Sequence, residues 1–385
     1  MTTKKLYDID AYATTFTAQV LSCTAQATGT YAITLDQTLF FPEEGGQSPD
    51  QGTLGDTFVQ DVQIKNDIIT HFLDKPLEIG STVAGEINWQ HRFSNMQQHS
   101  GEHLFSGLAY QRFGYQNVGF HLSDQIVTMD FDGVFTEEEL IAMEQSVNEA
   151  IAANIETRTG YPSPEELATL EYRSKLNLTE GIRIVEFPGY DVCACCAPHV
   201  HRTGEIGMFK IQSVQNYKGG VRISFLCGFR ALAEYRKKAQ IISDLTGILT
   251  TSPEQLADSV SKLKTQNQSL KTQLNNAKQS LLEYKISAIP AEQKDVILFE
   301  SNLDAPVMRA IVNQLVEKHT GICGIFVENE DDVYTFIIGS RSVDCRQVAA
   351  SMKETFSSRG GGSATMIQGS VTAEKQNILS FFESK

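Results

Sequence analysis

His99-Ser100-Gly101-Glu102-His103, read with Cys195-Cys196-Ala197-Pro198-His199, sets the frame for the whole chain. Two histidines four residues apart project from one face of a helix, about one turn from each other. Both imidazoles can then reach one ion. A Cys and a His four apart supply two further ligands from a turn or a second helix. Three imidazoles and a thiolate form a tetrahedral set that suits Zn²⁺. Either pair alone is a weak signal, because any helix carries H-x-x-x-H by chance. The two pairs are distant in sequence, so the fold has to bring a helix and a Cys/His turn together.

Working outward from the histidines, residues 91–111 read as a helix whose buried stripe is Leu104, Phe105 and Leu108. Thr136-Glu137-Glu138-Glu139 is a capping box for a second helix with a core stripe of Leu140, Met143, Val147 and Ile151. Its glutamates read as a solvated face. Ser163-Pro164-Glu165-Glu166 opens a further helix in the same way. Ile126-Val127-Thr128-Met129-Asp130-Phe131, Ile182-Arg183-Ile184-Val185-Glu186-Phe187, Met208-Phe209-Lys210-Ile211 and Val221-Arg222-Ile223-Ser224-Phe225 read as strands. Residues 90–228 are therefore expected to form an α+β domain with ligands on a helix and on a loop.

Before it, short strands such as Phe16-Thr17-Ala18-Gln19-Val20-Leu21 and Tyr31-Ala32-Ile33-Thr34-Leu35 predict a small β-barrel over 1–89. A loop dense in Gly and Pro, Phe40-Phe41-Pro42-Glu43-Glu44-Gly45-Gly46-Gln47-Ser48-Pro49, interrupts them. After it, Leu232, Tyr235, Ala239, Ile242, Thr246 and Leu249 give one helical stripe. Ser252-Pro253-Glu254-Gln255 starts a second helix, with a heptad seam running from Leu256 and Val260 to Leu281 and Tyr284 and Asn267 inside it. We expect a helical hairpin arm over 229–287, serving as a spacer or dimer arm or packing on its own chain. Strands 296–299 and 333–338 alternate with helices 305–319 and 344–356, which predicts a C-terminal α/β domain over 288–385. Gly360-Gly361-Gly362 reads as a flexible turn before it reads as a phosphate loop.

Composition narrows the function. The chain has 385 residues, 41% of them hydrophobic, which suits two or three soluble domains. No apolar run reaches a membrane span and no signal-peptide pattern opens the chain, so a cytoplasmic protein is expected. Of the seven cysteines three crowd into 193–196, the usage of metal or thiol chemistry in a reducing compartment. A net charge of −15 argues against a generic nucleic-acid binder. Residues 202–238 are the exception: eight Lys and Arg against Glu205 and Glu234. A phosphate backbone can be held there, and a solvated basic face accounts for the charge equally well.

The run from Cys195 through His199-Val200-His201-Arg202-Thr203-Gly204-Glu205-Ile206-Gly207 resembles the signature around the zinc Cys and His in the editing domain of alanyl-tRNA synthetases and their free-standing relatives of AlaX type. Met96-Gln97-Gln98-His99 and Leu104-Phe105-Ser106 resemble the first half of the same site. The loop at 40–52 is similar to the family's Pro-Glu-Gly-Gly-Gly-Gln loop, with Glu44 where the first glycine stands. Cys196 likewise stands where the family has Gly. The resemblance covers essentially the whole chain, including a C-terminal domain shared with some DHH-type phosphoesterases. No stretch resembles the adenylate-forming domain of the synthetase, so the long free-standing form is expected.

The resemblance implies one Zn²⁺ per chain on His99, His103, Cys195 and His199. It also implies substrate contacts at Gly45, Gly46, Gln47, Gly119, His121 and Thr203. Glu102 is a candidate base, or a group that supports a metal ligand from behind. The implied activity is deacylation of tRNA(Ala) carrying Ser or Gly, and a homodimer through the helical arm or the C-terminal domain is compatible with it. Such a second site is physically sensible. A methyl-sized difference is worth only ~1–3 kcal/mol in a binding pocket, so errors pass the first selection. A polar group left unpaired costs about 1–3 kcal/mol, so an editing site can demand the seryl hydroxyl. Two other classes stand beside this one. His99 to His103 also reads H-x-x-E-H, an inverted metallopeptidase motif with Glu102 as base, which leaves Cys195 and His199 unexplained. A non-catalytic zinc-containing tRNA-binding protein would use the same four ligands as a closed structural site.

Overall fold

A computed structural model describes residues 2–27, 29–174, 181–330 and 332–384. The chain is mixed α+β and divides into two compact units, 1–253 and 254–385. The helix before the division and the helix after it thus belong to different units.

In the first unit, strands β1 (Thr15–Ala25), β2 (Tyr31–Leu35), β3 (Gly52–Leu54), β4 (Thr57–Lys65), β5 (Ile68–Leu73) and β6 (Thr82–Ile87) close in the order β1-β2-β5-β4-β3-β6. Their apolar residues alternate at period two, which turns Ala18, Val20, Ile33, Leu35, Ile69 and Leu73 inward, and a register shift after Val59 keeps both Val59 and Val62 buried. Closure leaves no free edge.

Helix α1 (Trp89–Phe113) follows directly. Asn88 caps it by accepting the His91 N–H, and Gly114 ends it at φ +71°. From Met96 to Ala109 every residue of α1 is buried, polar ones included. A helix buried all round has to find a partner for each polar side chain or reserve it for a ligand. Arg92 and Asp50 show the first case. Both are fully buried, and the guanidinium also donates to the Ala11 and Leu39 carbonyls, which fixes the barrel to the start of α1.

Strands β7 (Asn117–Leu122) and β8 (Val127–Phe131), helix α2 (Glu137–Ala152), strands β9 (Arg158–Gly160), β10 (Ile184–Phe187), β11 (Asp191–Ala194), β12 (Phe209–Tyr217) and β13 (Gly220–Cys227), and helix α3 (Gly228–Leu249) surround α1. They form a four-stranded sheet, β12-β13-β8-β7, and a three-stranded one, β9-β10-β11. The expected capping box at Thr136 is present, with Met143, Val147 and Ile151 buried. The one at Ser163 is present too, but starts only a single turn, Pro164–Leu167. A Cβ on Gly107 would lie 2.2 Å from the Tyr190 carbonyl oxygen, so only glycine lets the turn leading into β11 sit this close to α1.

The second unit holds α4 (Leu256–Ser287), β14 (Val296–Ser301), α5 (Ala305–Lys318), β15 (Cys323–Glu330), β16 (Val333–Gly339), α6 (Cys345–Thr355), β17 (Ser357–Gly362), β18 (Met366–Thr372) and α7 (Lys375–Glu383). Its sheet runs β14-β15-β16-β18-β17, with β14 and β15 parallel. Leu282 and Ile286 anchor the end of α4 in this unit's core. Gly360–Gly362 lie in the edge strand β17, paired with β18, where a turn was expected. No helix among the described residues is long and apolar enough to cross a membrane.

Candidate metal centre

Helix α1 and the loop after β11 meet at one point. The ligand atoms of His99, His103, Cys195 and His199 all lie within 4.8 Å of one another. Cys195 Sγ is 3.6 Å from His99 Nε2 and 3.8 Å from His199 Nε2. Tetrahedral zinc with bonds of about 2.3 Å to sulfur and about 2.0–2.1 Å to nitrogen separates the two donors by about 3.5 Å. The distances match. The three imidazoles are 2–4% exposed.

For His99 and His103, which nitrogen faces the centre follows from what the other one does, while His199 turns Nε2 to Cys195 and its buried Nδ1 has no hydrogen-bond partner. His99 Nδ1 lies 2.8 Å from Gln47 Oε1, so it carries the proton and donates. His103 Nδ1 donates in the same way to Asp191 Oδ2 at 2.8 Å. Arg173 grips that carboxylate through two bonds of 2.7 Å, and Asp191 is itself buried. His103 Nε2 is buried and has no hydrogen-bond partner. A buried polar atom without a partner costs about 1–3 kcal/mol, and here it points among three other donors. Such an atom fits a metal ligand. His103, Asp191 and Cys193 also cluster, but the Asp191 oxygens are already taken by Arg173 and His103.

The charges agree. Burial works to raise the Cys195 thiol, but His99, His199 and His103 around it hold it well below the usual thiol range. Thiolate is the ligating form. Burial drives His199 down to about 3, which keeps it neutral. Burial also opposes charge on His103, yet Asp191, then Cys193 and Cys195, lift it well above the usual histidine value.

The ligand loop is held in shape by its backbone. Arg183 donates to the Cys195 and Ala197 carbonyls, and the Cys195 N–H donates to the Arg183 carbonyl. The Val200 N–H donates to Ser100 Oγ, tying the loop to α1 beside His99. Phe120 packs on His99 at 4.7 Å and Phe187 on His103 at 5.7 Å between ring centroids.

A family profile described as "Threonyl and Alanyl tRNA synthetase second additional domain" matches residues 182–224, the stretch that contains Cys195 and His199. An alanyl-tRNA editing protein, Aarsd1 of Mus musculus, is 28% identical over 402 residues, covering 97% of this chain and 97% of its own. The alanyl-tRNA editing protein AlaX-L of Pyrococcus horikoshii is 26% identical over 365 residues, covering 90% of this chain and 89% of its own. Over nearly its whole length the chain is similar to free-standing alanyl-tRNA editing proteins. The alanine–tRNA ligase of Ignicoccus hospitalis is 32% identical over 74% of this chain but only 32% of its own length. These two free-standing editing proteins match this chain over nine tenths of its length or more, and the ligase matches it in part.

The residues expected to touch substrate take different places. Gly46 has φ +85°, and a Cβ there would lie 2.2 Å from the Phe120 carbonyl oxygen, so the glycine lets the loop dock on β7. Gly45 is exposed next to Cys196. Gln47 is fully buried behind His99. The Gly119 N–H donates to Asn117 Oδ1, and His121 is exposed on β7. The Thr203 hydroxyl is fully buried, donating to the Ala150 carbonyl and accepting the Ile155 N–H, so it clamps the end of α2. Glu102 is buried outside the ligand cluster and accepts from Ser106 Oγ and Asn117 Nδ2. Asp191 and Arg173 escaped the sequence reading. The available signal was Asp191 two positions before Cys193, hence on the same face of a strand.

Proposed function

We propose that this protein is a trans-editing hydrolase that cleaves the ester of mischarged tRNA(Ala), carrying Ser or Gly, at a zinc centre held by His99, His103, Cys195 and His199. The observation that carries this reading is the convergence of those four donors in a chain that aligns with an alanyl-tRNA editing protein over 97% of its length. Zn²⁺ bound there would supply a Lewis acid able to orient the substrate or polarise an oxygen. The chain's own residues do the rest. Gln47 and Asp191 fix the tautomers of His99 and His103. Phe120 and Phe187 pack against the rings of His99 and His103. The glycines at 45 and 46 let the loop lie close without a side chain in the way.

The peptidase reading needs Glu102 as a base facing a metal-bound water. Its Oε1 is engaged by Ser106 and Asn117, and Cys195 and His199 fill the remaining ligand places. One observation does favour the non-catalytic reading: four protein ligands close a tetrahedron, as structural zinc sites do.

Zinc-loaded protein is expected to deacylate Ser-tRNA(Ala) and Gly-tRNA(Ala) and to spare Ala-tRNA(Ala), measured side by side as loss of labelled amino acid. Seryl ester that survives incubation at the rate of a blank, with zinc at one per chain, would assign the chain to the binding class instead.

A further inference from the structure

We infer that His201 is the outer plate of an aromatic stack that receives an unpaired base from the 3′ end of the substrate RNA; this rests on reading the centre as an aminoacyl-RNA hydrolase. The His201 ring lies nearly parallel to Tyr12, 3.8 Å between centroids and 19° between planes. Tyr12 meets Trp89 at 5.1 Å, and Trp89 stacks on Phe93 at 5.2 Å and 27°. Four rings from three separate segments thus form one pile. The His201 N–H donates to the Tyr12 hydroxyl at 3.0 Å, which fixes the outer two rings against each other. His201 is exposed while Tyr12, Trp89 and Phe93 are each half-buried. One face of the imidazole is covered, and the residue still opens to solvent.

Position gives the stack its meaning. His201 follows the ligand His199 by two residues, a reach of at most ~7 Å of chain. The segment runs down α1, with Val200 tied to Ser100 and His201 beside the pile that includes Phe93. Phe93 precedes His99 by six residues on α1, about 9 Å along the helix axis. An ester held at the centre therefore brings the sugar and base that carry it toward this level. Single-stranded RNA ends are taken by stacking on aromatic rings, histidine among them, without regard to base identity. A ring needed only to cover Tyr12 would have no reason to stand at the surface beside the centre.

The test uses the full zinc-loaded chain and tRNA(Ala) carrying 2-aminopurine in place of the terminal adenine or of the base before it. We expect quenching of the probe at one of these positions with wild type and with His201→Phe, and its loss in His201→Ala. In deacylation, His201→Ala should raise KM about 5- to 150-fold, the worth of one base–aromatic stack, with kcat unchanged and His201→Phe restoring it. His201→Gln, which keeps a side chain over Tyr12 without a ring, is read alongside and should behave like the alanine variant. Unchanged KM and undiminished quenching in both ringless variants would overturn the inference. Quenching is read on uncharged RNA. A wild type that quenches but never deacylates would therefore sink the hydrolase reading and leave the stack standing.

Discussion

His71 and His103 are both buried imidazoles in the first unit, one inside the barrel and one in the candidate metal centre. In the barrel, both ring nitrogens of His71 have partners: Nε2 lies 2.9 Å from Thr38 Oγ1, and Nδ1 3.4 Å from the Ile33 carbonyl. Phe40 packs edge-on at 5.5 Å. Burial drives its pKa down to about 4, so it stays neutral. At the centre, His103 has one nitrogen on a carboxylate backed by Arg173 and the other on nothing. Burial is common to both, so burial alone identifies neither. What separates them is whether the second nitrogen is spent. A closed imidazole is architecture; one braced by a carboxylate, with its open nitrogen among three other donors, fits a ligand, whereas His91, braced by Asp124 with its Nδ1 open, stands outside the cluster.

The strongest way to break this comparison is to remove ligands. Cys195→Ala and His103→Ala are expected to bring zinc from one per chain to none and deacylation to the level of a blank. Chelator should then no longer lower the melting temperature, because the linkage that stabilises the holoprotein is gone. His71→Gln should keep full zinc occupancy and lose stability only. Zinc retained by Cys195→Ala, read by elemental analysis, would remove the distinction between the two regions.

Acid gives the next largest effect. His71 has a folded pKa near 4 against about 6.5 unfolded, so between these values the unfolded chain binds more protons. Its contribution is complete above pH ~6.5 and is lost as pH falls toward 4, on the order of 3 kcal/mol in all. The measurement is denaturant unfolding of metal-free protein at pH 7 and pH 4.5, followed through Trp89, the chain's one tryptophan, which lies in the first unit. His71→Gln should show a shallower pH dependence than wild type. Parallel curves would mean that His71 is not the closed histidine described here.

These two regions were unequally legible in the sequence. His99 and His103 could be read because helical spacing fixes a shared face, and Cys195 and His199 because a resemblance named them. The partners behind them could not. Gln47 lies 52 residues before His99, and Arg173 and Asp191 lie 70 and 88 residues after His103, brought in by sheet pairing and a glycine contact that no local pattern announces. Thr203 shows the opposite case: it sits in a signature that suggests substrate, and its hydroxyl bonds the end of α2. Strand alternation made the inward faces of the long barrel strands legible, while the short β3 and the division of the chain at 253 carried no comparable signal. Capping boxes marked helix starts correctly at Thr136 and Ser163 but said nothing of helix length, which packing decides.

Partners behind the ligands should matter by degrees. Asp191→Asn keeps the shape but loses the charge that Arg173 and the His103 N–H both use. Metal affinity is expected to fall 10- to 100-fold, measured by competition with a chromophoric chelator, with folding judged by the Trp89 signal. No change would mean that His103 holds its orientation through packing on Phe187 alone.

Gln47→Leu should be the mildest of the series, and it is the most informative about the loop. Its amide oxygen is a neutral acceptor, and neutral hydrogen bonds contribute about 0.5–1.5 kcal/mol against about 1.5–3 for charged ones. Zinc affinity should therefore fall by no more than about tenfold, the lower end of such second-layer effects. Gln47 Nε2, however, is buried without a partner. If that N–H is kept for the acyl group, the variant will also raise KM for Ser-tRNA(Ala) after zinc saturation has been restored. If KM returns to the wild-type value at saturating zinc, Gln47 acts only through His99, and the substrate role expected of this loop falls to Gly45 and Gly46. A loss of zinc affinity greater than that of Asp191→Asn would invert the ranking, and with it the claim that the carboxylate is what holds a buried imidazole open.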